Sequence, residues 1–600
     1  MFFRKKVIKH SNLVQLVESY RDQEGRPRQR IVASLGDARL PEGAEHSIAR
    51  CVEGRMRGQR DLFETELSSS EAEWVDRIVK IAERTRSAQQ ERGTAKLDGV
   101  MAEQVDTVNV VEFGPELVGM AAWRALGLSE TLLECGLNRR AVAIAQSMVI
   151  NRLVEPLSEW ALIDWLERTA LPECLNVRVT KTTKDRLYKT SDELFSQRKK
   201  LEAHLRHTEA GWFERRSSIV LYDVTNTHFE GLCADNPKAA RGKNKQKRND
   251  CLQVAVGIAF NEYGMALAHE VFEGNMADTQ TLGQMLERLE QADEGDARAV
   301  VIMDAGIASN ANLEMLREKG YAYLVNVTRG SRKKYAEAFC ASDFVPLPGR
   351  DPDKQVEVKS IPHPEVEGDR LVLCRSMKRR EKERAMLSNA EKRFLSGAEL
   401  LRLRVERGRL KDADKILKAI GSLMAKHPRA ARFHEVELIH GALSVRRKGP
   451  QIEEAYDLCG DYVLRTDQAF QPDELWKLYM TLLKAEDGFK MLKGTLGLRP
   501  NFHQKERRVD GHIFISVLAY HLLCWIHNKL ETGGDTRTWR TIRRYLRTHS
   551  LLTTRFPLED GRMVSIRKAS VPDEEQIRIY DMLGINWRSA HPTRITETKA

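Results

Sequence analysis

Residues 217–225 constrain this 600-residue chain more than any other stretch. They form a nearly continuous apolar run interrupted by Asp223, and a run of that length reads as a strand buried on both faces. A carboxylate placed there is costly to bury alone, so Asp223 needs a cation, a metal ion or water at the sheet edge. A basic loop follows, with Arg241, Lys243, Lys245, Lys247 and Arg248. Strands are expected at 251–260 and 265–272, joined by the turn Asn261-Glu262-Tyr263-Gly264. A helix at 278–291, a strand at 299–304, a helix at 309–319 and a strand at 321–327 complete the series.

The order β-β-β-α-β-α-β predicts an α/β RNase H-like catalytic core, a mixed sheet with helices on both faces. Such a core needs one further helix, and the sequence delays it. Residues 331–470 read as a large insertion between the last core strand and that helix. They hold strand-like pieces at 355–361 and 370–374, then a long basic helical stretch over 378–426 that contains no proline. The delayed helix starts near Pro472, carries Asp473 and Glu474 in its first turn and stops at Gly494. A last apolar helix is expected at 510–529.

Ahead of the core, 13–20 and 28–35 alternate like strands around a turn holding Gly25 and Pro27, with Arg26 and Arg28 as a basic tip. Six segments are expected. Residues 1–110 hold this β-hairpin and a helical region, and 111–210 a helical DNA-binding or dimerisation domain. The core occupies 211–330 and, after the insertion at 331–470, its catalytic helices occupy 471–535. Residues 536–600 form a C-terminal region.

The formal net charge of +11 suits a polyanionic partner. The nine cysteines are scattered with no pair at metal-ligand spacing, which argues against a zinc ribbon and a disulfide framework and for a reducing, cytoplasmic setting. No signal peptide is apparent, and the apolar run at 513–526 is too short to span a bilayer, so no membrane role is expected. No G-x-x-x-x-G-K-[ST] phosphate loop occurs, so no nucleotide cofactor is expected.

Asp304 ends the fourth core strand. In an RNase H-like sheet the first and fourth strands are neighbours, so Asp223 and Asp304 are expected side by side. Adjacent carboxylates repel unless something positive lies between them, and Mg2+ (with Mn2+ as a substitute) suits oxygen ligands. Glu486 is the candidate third carboxylate. Tyr479, Glu486 and Lys493 recur every seven residues, close to two helical turns, and so share a face. Three carboxylates can hold two metal ions, roughly 4 Å apart, for phosphoryl transfer. Lys493 can contact a phosphate, and Tyr479 can pack or hydrogen-bond near a DNA end. Glu506, Asp510 and Asp250 are weaker carboxylate candidates, and His512 and His521 are expected to be core or surface histidines.

These residues resemble the DDE transposases of bacterial insertion sequences, in the insertion-sequence-four superfamily. That group carries Tyr, two residues, Arg, three residues, Glu, six residues, Lys. Here Tyr479, Glu486 and Lys493 match, and Leu482 stands at the Arg position, with Lys484 or Lys490 as substitute cations. Residues 272–282 and Asp304-Ala305-Gly306-Ile307 resemble two further blocks of the family, and the N-terminal hairpin resembles its branch of large members. The resemblance implies cleavage at a transposon's terminal inverted repeats in double-stranded DNA, and joining of the 3′-hydroxyl ends to target DNA. It also implies a homodimer at synapsis and a nucleoid-associated protein in a bacterial cytoplasm. The alternatives are an RNase H-like nuclease without strand transfer and a catalytically idle, transposase-derived DNA-binding protein.

Overall fold

A computed structural model describes the chain except for residues 9–10, 22–26, 37, 39, 42, 57–67, 93–98, 176–182, 213–218, 243–247, 249, 291–298, 329, 349–352, 354, 592 and 600. It divides into two compact units. One comprises Met1–Val105, Phe556–Val564 and Glu597–Ala600; the other comprises Asp106–Arg555 and Ser565–Thr596.

The first unit contains an antiparallel meander, β1 (Phe2–Ile8), β2 (Ser11–Arg21) and β3 (Pro27–Ser34). The expected hairpin is the β2–β3 pair, and β1 adds a strand that the sequence reading did not include. Arg26 and the Arg28 side chain lie outside the described residues. Two helices, α1 (Glu45–Met56) and α2 (Ser69–Arg92), complete a small core built on Leu16, Val32, Ile48, Val52, Val75 and Ile78.

The second unit opens with β4 (Asp106–Glu112) and seven helices. These are α3 (Gly114–Ala125), α4 (Leu128–Glu134), α5 (Arg139–Val154), α6 (Leu162–Leu166), α7 (Leu171–Cys174), α8 (Lys184–Ser196) and α9 (Arg198–Ala210). Asn138 starts α5 by accepting a hydrogen bond from the Ala141 amide at 3.0 Å. From Ala141 to Val154 every residue of α5 is buried, which makes it the central helix of this segment.

The α/β core then follows the expected order: β5 (Ile219–His228), β6 (Gln253–Phe260), β7 (Ala266–Glu273), α10 (Leu282–Glu290), β8 (Val300–Met303), α11 (Asn310–Glu318) and β9 (Ala322–Asn326). Strands β5, β8 and β9 are parallel, while β6 and β7 are antiparallel additions beside β5.

Residues 331–470 do not form one separate body. After α12 (Ala336–Cys340), three strands, β10 (Val345–Pro346), β11 (Val356–Pro362) and β12 (Arg370–Ser376), join the core sheet at its β9 edge. The connection runs through β15 (Asp461–Thr466), which pairs with both β12 and β9. The sheet therefore has nine strands in the order β10-β11-β12-β15-β9-β8-β5-β6-β7. Between β12 and β15 stand α13 (Met377–Glu406), α14 (Ala413–Lys426), α15 (Pro428–Ala431), the hairpin β13 (His434–Ile439) and β14 (Ala442–Arg447), and α16 (Gly449–Asp457). Their apolar residues form small clusters of their own, such as Leu401, Ile416, Ile420 and Leu443.

The delayed helix is broken. It comprises α17 (Pro472–Met480), α18 (Leu482–Lys490) and a π-turn, Met491–Thr495. The Thr481 hydroxyl donates to the Leu478 carbonyl at 2.6 Å, which competes with the helical ladder at the break. The final core helix, α19 (Glu506–Thr532), is the one described helix long and apolar enough to cross a membrane. Its most apolar window is 94% buried inside the protein. Further along, β16 (Ser550–Pro557) pairs antiparallel with β4.

Candidate active site

Side chains alternate across a strand, so parity decides which face of the sheet each residue serves. Leu221, Ile302 and Leu324 lie in the large core cluster shared with α18 and α19. Tyr222, Val301, Met303 and Tyr323 lie in the opposite cluster with α10 and α11. Asp223, Asp304 and Asn326 each stand two positions beyond a residue of the first set, so the pleat directs all three toward the α18 face.

The register brings them together. In the parallel β5–β8 pair, Tyr222 stands opposite Met303, so Asp223 and Asp304 are the next residues on adjacent strands. Likewise Met303 stands opposite Val325, which puts Asn326 beside Asp304. Asp223 was expected near the end of its strand; β5 instead runs on to His228. The parallel partner β8 ends at Met303, however, so Asp223 still stands where that pairing stops. The two aspartates share a local geometry. Asp223 accepts a hydrogen bond from the Val224 amide at 2.8 Å, and Asp304 accepts one from the Ala305 amide at 2.8 Å. Asp304 is exposed and Asp223 is half-buried.

Glu486 is exposed on α18, which packs across β5. Gly488 permits that packing. A Cβ there would lie 2.8 Å from the Tyr520 hydroxyl and 2.9 Å from the Phe260 ring. A side chain at 488 would lift α18, and Glu486 with it, away from the strands.

Tyr479 marks the centre of this constellation. Burial pushes its hydroxyl up to about 12, and the Asp304 and Glu486 carboxylates add to the rise. The Arg379 guanidinium and a hydrogen bond with the Asn326 side chain act in the opposite direction. Four groups from β8, β9, α13 and α18 are thus within electrostatic reach of one phenol. Asn326 Oδ1 is buried with no hydrogen-bond partner.

The expected Tyr-Glu-Lys stripe does not lie on one uninterrupted helix. Tyr479 is on α17, Glu486 on α18 and Lys493 in the π-turn, where the Leu496 amide donates to the Met491 carbonyl at 3.0 Å. That wider turn rotates Lys493 away from an ideal stripe, and its ammonium sits 5.2 Å from the centre of the Phe489 ring. Lys490 is exposed. Leu482 is only 7% exposed and belongs to the core cluster, so a side chain at that position faces the protein interior. Lys484 lies 5.9 Å from the Tyr263 ring, beside the β6–β7 turn.

In the basic loop, Arg241 is exposed and Arg248 is turned onto Asp250 at 3.0 Å. Lys243, Lys245 and Lys247 lie outside the described residues. Glu506 and Asp510 both pair with Lys238, at 3.0 and 3.1 Å. His512 and His521 are buried, against Glu159 at 3.1 Å and Glu209 at 2.6 Å.

Sequence reasoning missed Asn326, Arg332, Arg379 and Glu383. Three of them come from the segment read as an insertion, and only the long-range pairing of β15 with β9 brings that segment to the site. Asn326 had a local signal: it is a polar residue ending an apolar strand in parity with the two aspartates.

The transposase DDE domain family matches residues 214–522, just over half the chain. The chain belongs to that family. The N-terminal domain of IS1634 family transposases matches residues 3–88, which identifies a transposase of an insertion sequence. No curated protein matches the chain. Transposases with this domain act on DNA and use divalent metal ions, and this transposase has the mixed sheet and flanking helices of an RNase H-like core. Its carboxylates suit such an ion chemically: they are oxygen donors where the parallel β5–β8 pairing stops, on the sheet face shared with α18.

Proposed function

We propose that this transposase cleaves the terminal inverted repeats of its element and joins the freed 3′-hydroxyl ends to target DNA, with Asp223, Asp304 and Glu486 as its catalytic carboxylates. The observation carrying the reading is the register that makes Asp223 and Asp304 neighbours, on the sheet face toward which α18 carries Glu486. It belongs in the insertion-sequence-four superfamily, as a member of the Tyr-Arg-Glu-Lys type lacking the arginine.

Asp223, Asp304 and Glu486 would hold two Mg2+ or Mn2+ ions. Such ions activate an attacking oxygen and stabilise the leaving oxygen of a phosphodiester. The protein's own residues position the DNA. Tyr479, held by Asn326, presents an aromatic surface at the strand end, and its raised hydroxyl stays protonated at neutral pH as a hydrogen-bond donor. Lys490, Lys493, Arg241 and Arg248, with Lys243, Lys245 and Lys247, supply backbone phosphate contacts. Two ends must be held together for concerted joining, which calls for a homodimer.

The test is a strand-transfer assay using precut duplex ends from the DNA flanking the coding region, with Mg2+. Joined products are expected. Cleavage without joining would favour a nuclease, and neither reaction would favour an idle DNA-binding descendant.

A further inference from the structure

A cavity opens beside Tyr479, lined by Asn326, Thr328, Arg332, Arg379, Asp461 and Tyr462. Its charges are held in place from several elements. Arg379 Nε donates to Glu383 Oε1 at 3.0 Å, and its guanidinium stacks on the Tyr462 ring, 4.8 Å from the centroid. Arg332 lies 3.6 Å from the same Glu383, and its Nη1 also donates to the Asp461 carbonyl at 3.1 Å. Glu383 in turn accepts the Gly460 amide at 3.2 Å. One buried carboxylate therefore orients two guanidiniums around the cavity.

Guanidiniums crowd this side of the cavity. Four guanidiniums (Arg332, Arg375, Arg379 and Arg380) surround Asp461 and Glu383. Arg375 has a second partner in Glu357 at 3.5 Å. The local helix is also set against its own dipole. Helix α13 begins with Met377, Lys378, Arg379 and Arg380 and has no acidic residue in its first turn. Cations are unfavourable at a helix N-terminus, while an anion there is stabilised by the helix dipole and the basic side chains; the Met377 amide itself donates to the Gln355 carbonyl and the Arg379 amide to Ser376 Oγ.

We propose that Arg379, with Arg332 beside it, binds a DNA backbone phosphate next to the catalytic carboxylates. This inference rests on the functional reading above. It explains how the transposase manages with Leu482 at the arginine position of the catalytic helix. Leu482 faces the core, and the guanidinium approaches instead from α13, the helix that follows β12. Stacking on Tyr462 and the bond to Glu383 fix the plane of Arg379, as bidentate recognition of a phosphate requires.

The test measures binding without catalysis, in Ca2+, by fluorescence anisotropy. The probe is duplex DNA from the flank of the coding region, with single phosphates near the strand end replaced one at a time by neutral methylphosphonates. For the unaltered protein, one or two replacements should weaken binding about ten-fold, equivalent to about 1.4 kcal/mol. Arg379→Ala should bind unmodified duplex about ten-fold more weakly and lose its sensitivity at those same phosphates. Arg379→Lys should restore part of both. If Arg379→Ala fails to fold, Arg379→Gln carries the same comparison. An unchanged methylphosphonate profile in the variant, or unchanged affinity, would overturn the proposal. Failure of the catalytic reading would appear separately, as cleavage surviving Asp223→Asn.

Discussion

Two clusters of ionisable groups in the same compact unit follow opposite rules. Where the parallel β5–β8 pairing stops, Asp223, Asp304 and Glu486 come from β5, the end of β8 and α18, and two of the three are exposed. In the helical interior, Glu159, His503 and His512 are packed so closely that their ligand atoms all lie within 4.8 Å of one another. The second cluster has the spacing of a metal site, and the first does not. The chemistry runs the other way. Glu159 accepts from His503 at 2.7 Å and lies 3.1 Å from His512, and the buried Arg152 guanidinium lies 2.7 Å from His512 Nδ1. His512 Nδ1 either accepts from Arg152 or donates to Glu159, and a cation is already present in both cases. An incoming metal ion would meet the charge of Arg152, fully buried, with no solvent to screen it. Near the carboxylates the guanidinium is that of Arg379, which acts on Tyr479 together with Asp304 and Glu486. Close packing of ligand types therefore marks an interior ion-pair network, whereas the carboxylates we propose as metal ligands stand where the parallel β5–β8 pairing stops.

The largest effect that can break this comparison is on catalysis. Asp223→Asn or Asp304→Asn should reduce metal-dependent DNA cleavage by at least about 1,000-fold with the melting temperature unchanged. Glu159→Gln should do the reverse. It leaves Arg152 buried without its carboxylate and should destabilise the fold by about 3 kcal/mol, measured by denaturant unfolding.

Acidification should also act on the interior cluster. Burial and Arg152 hold the His512 imidazole down to about 4, below its ordinary 6.5, so it takes up a proton on unfolding between those values. The neighbouring histidines hold the Glu159 carboxyl well below its ordinary range against the opposing effect of burial, and that stabilisation is lost as pH falls through its folded value. The His512 effect lowers stability as the pH drops from 6.5 toward 4, and the Glu159 effect adds to it below the ordinary glutamate value of 4.5. A melting temperature that stays level over that window, or a slope unaltered by His512→Gln, would contradict the assignment.

The smallest effect concerns placement. Gly488→Ala should lower cleavage about ten-fold through displacement of Glu486, while adding helix propensity. Cleavage at the unaltered rate would show that α18 tolerates the shift.

The core was legible because its signals are local. The apolar run at 217–225, the turn at 261–264 and the carboxylate after 300–303 each announce an element, and strand order then places Asp223 beside Asp304. What escaped was non-local. Strands β11 and β12 read as fragments, and nothing nearby in sequence says that β15 will carry them onto the β9 edge. The break at Thr481 depends on one hydroxyl choosing a carbonyl. Arg379 belongs to a basic helical stretch that reads as a partial DNA contact, and only the fold brings this one residue of it near Tyr479.

The most direct test of the central claim is Mn2+ binding in the presence of duplex DNA, followed by electron paramagnetic resonance, for Asp223→Asn, Asp304→Asn and Glu159→Gln beside the unaltered protein. Loss of the bound signal in both aspartate variants, with folded Glu159→Gln binding normally, is the predicted result. Normal Mn2+ binding in the aspartate variants, or loss confined to Glu159→Gln, would contradict it.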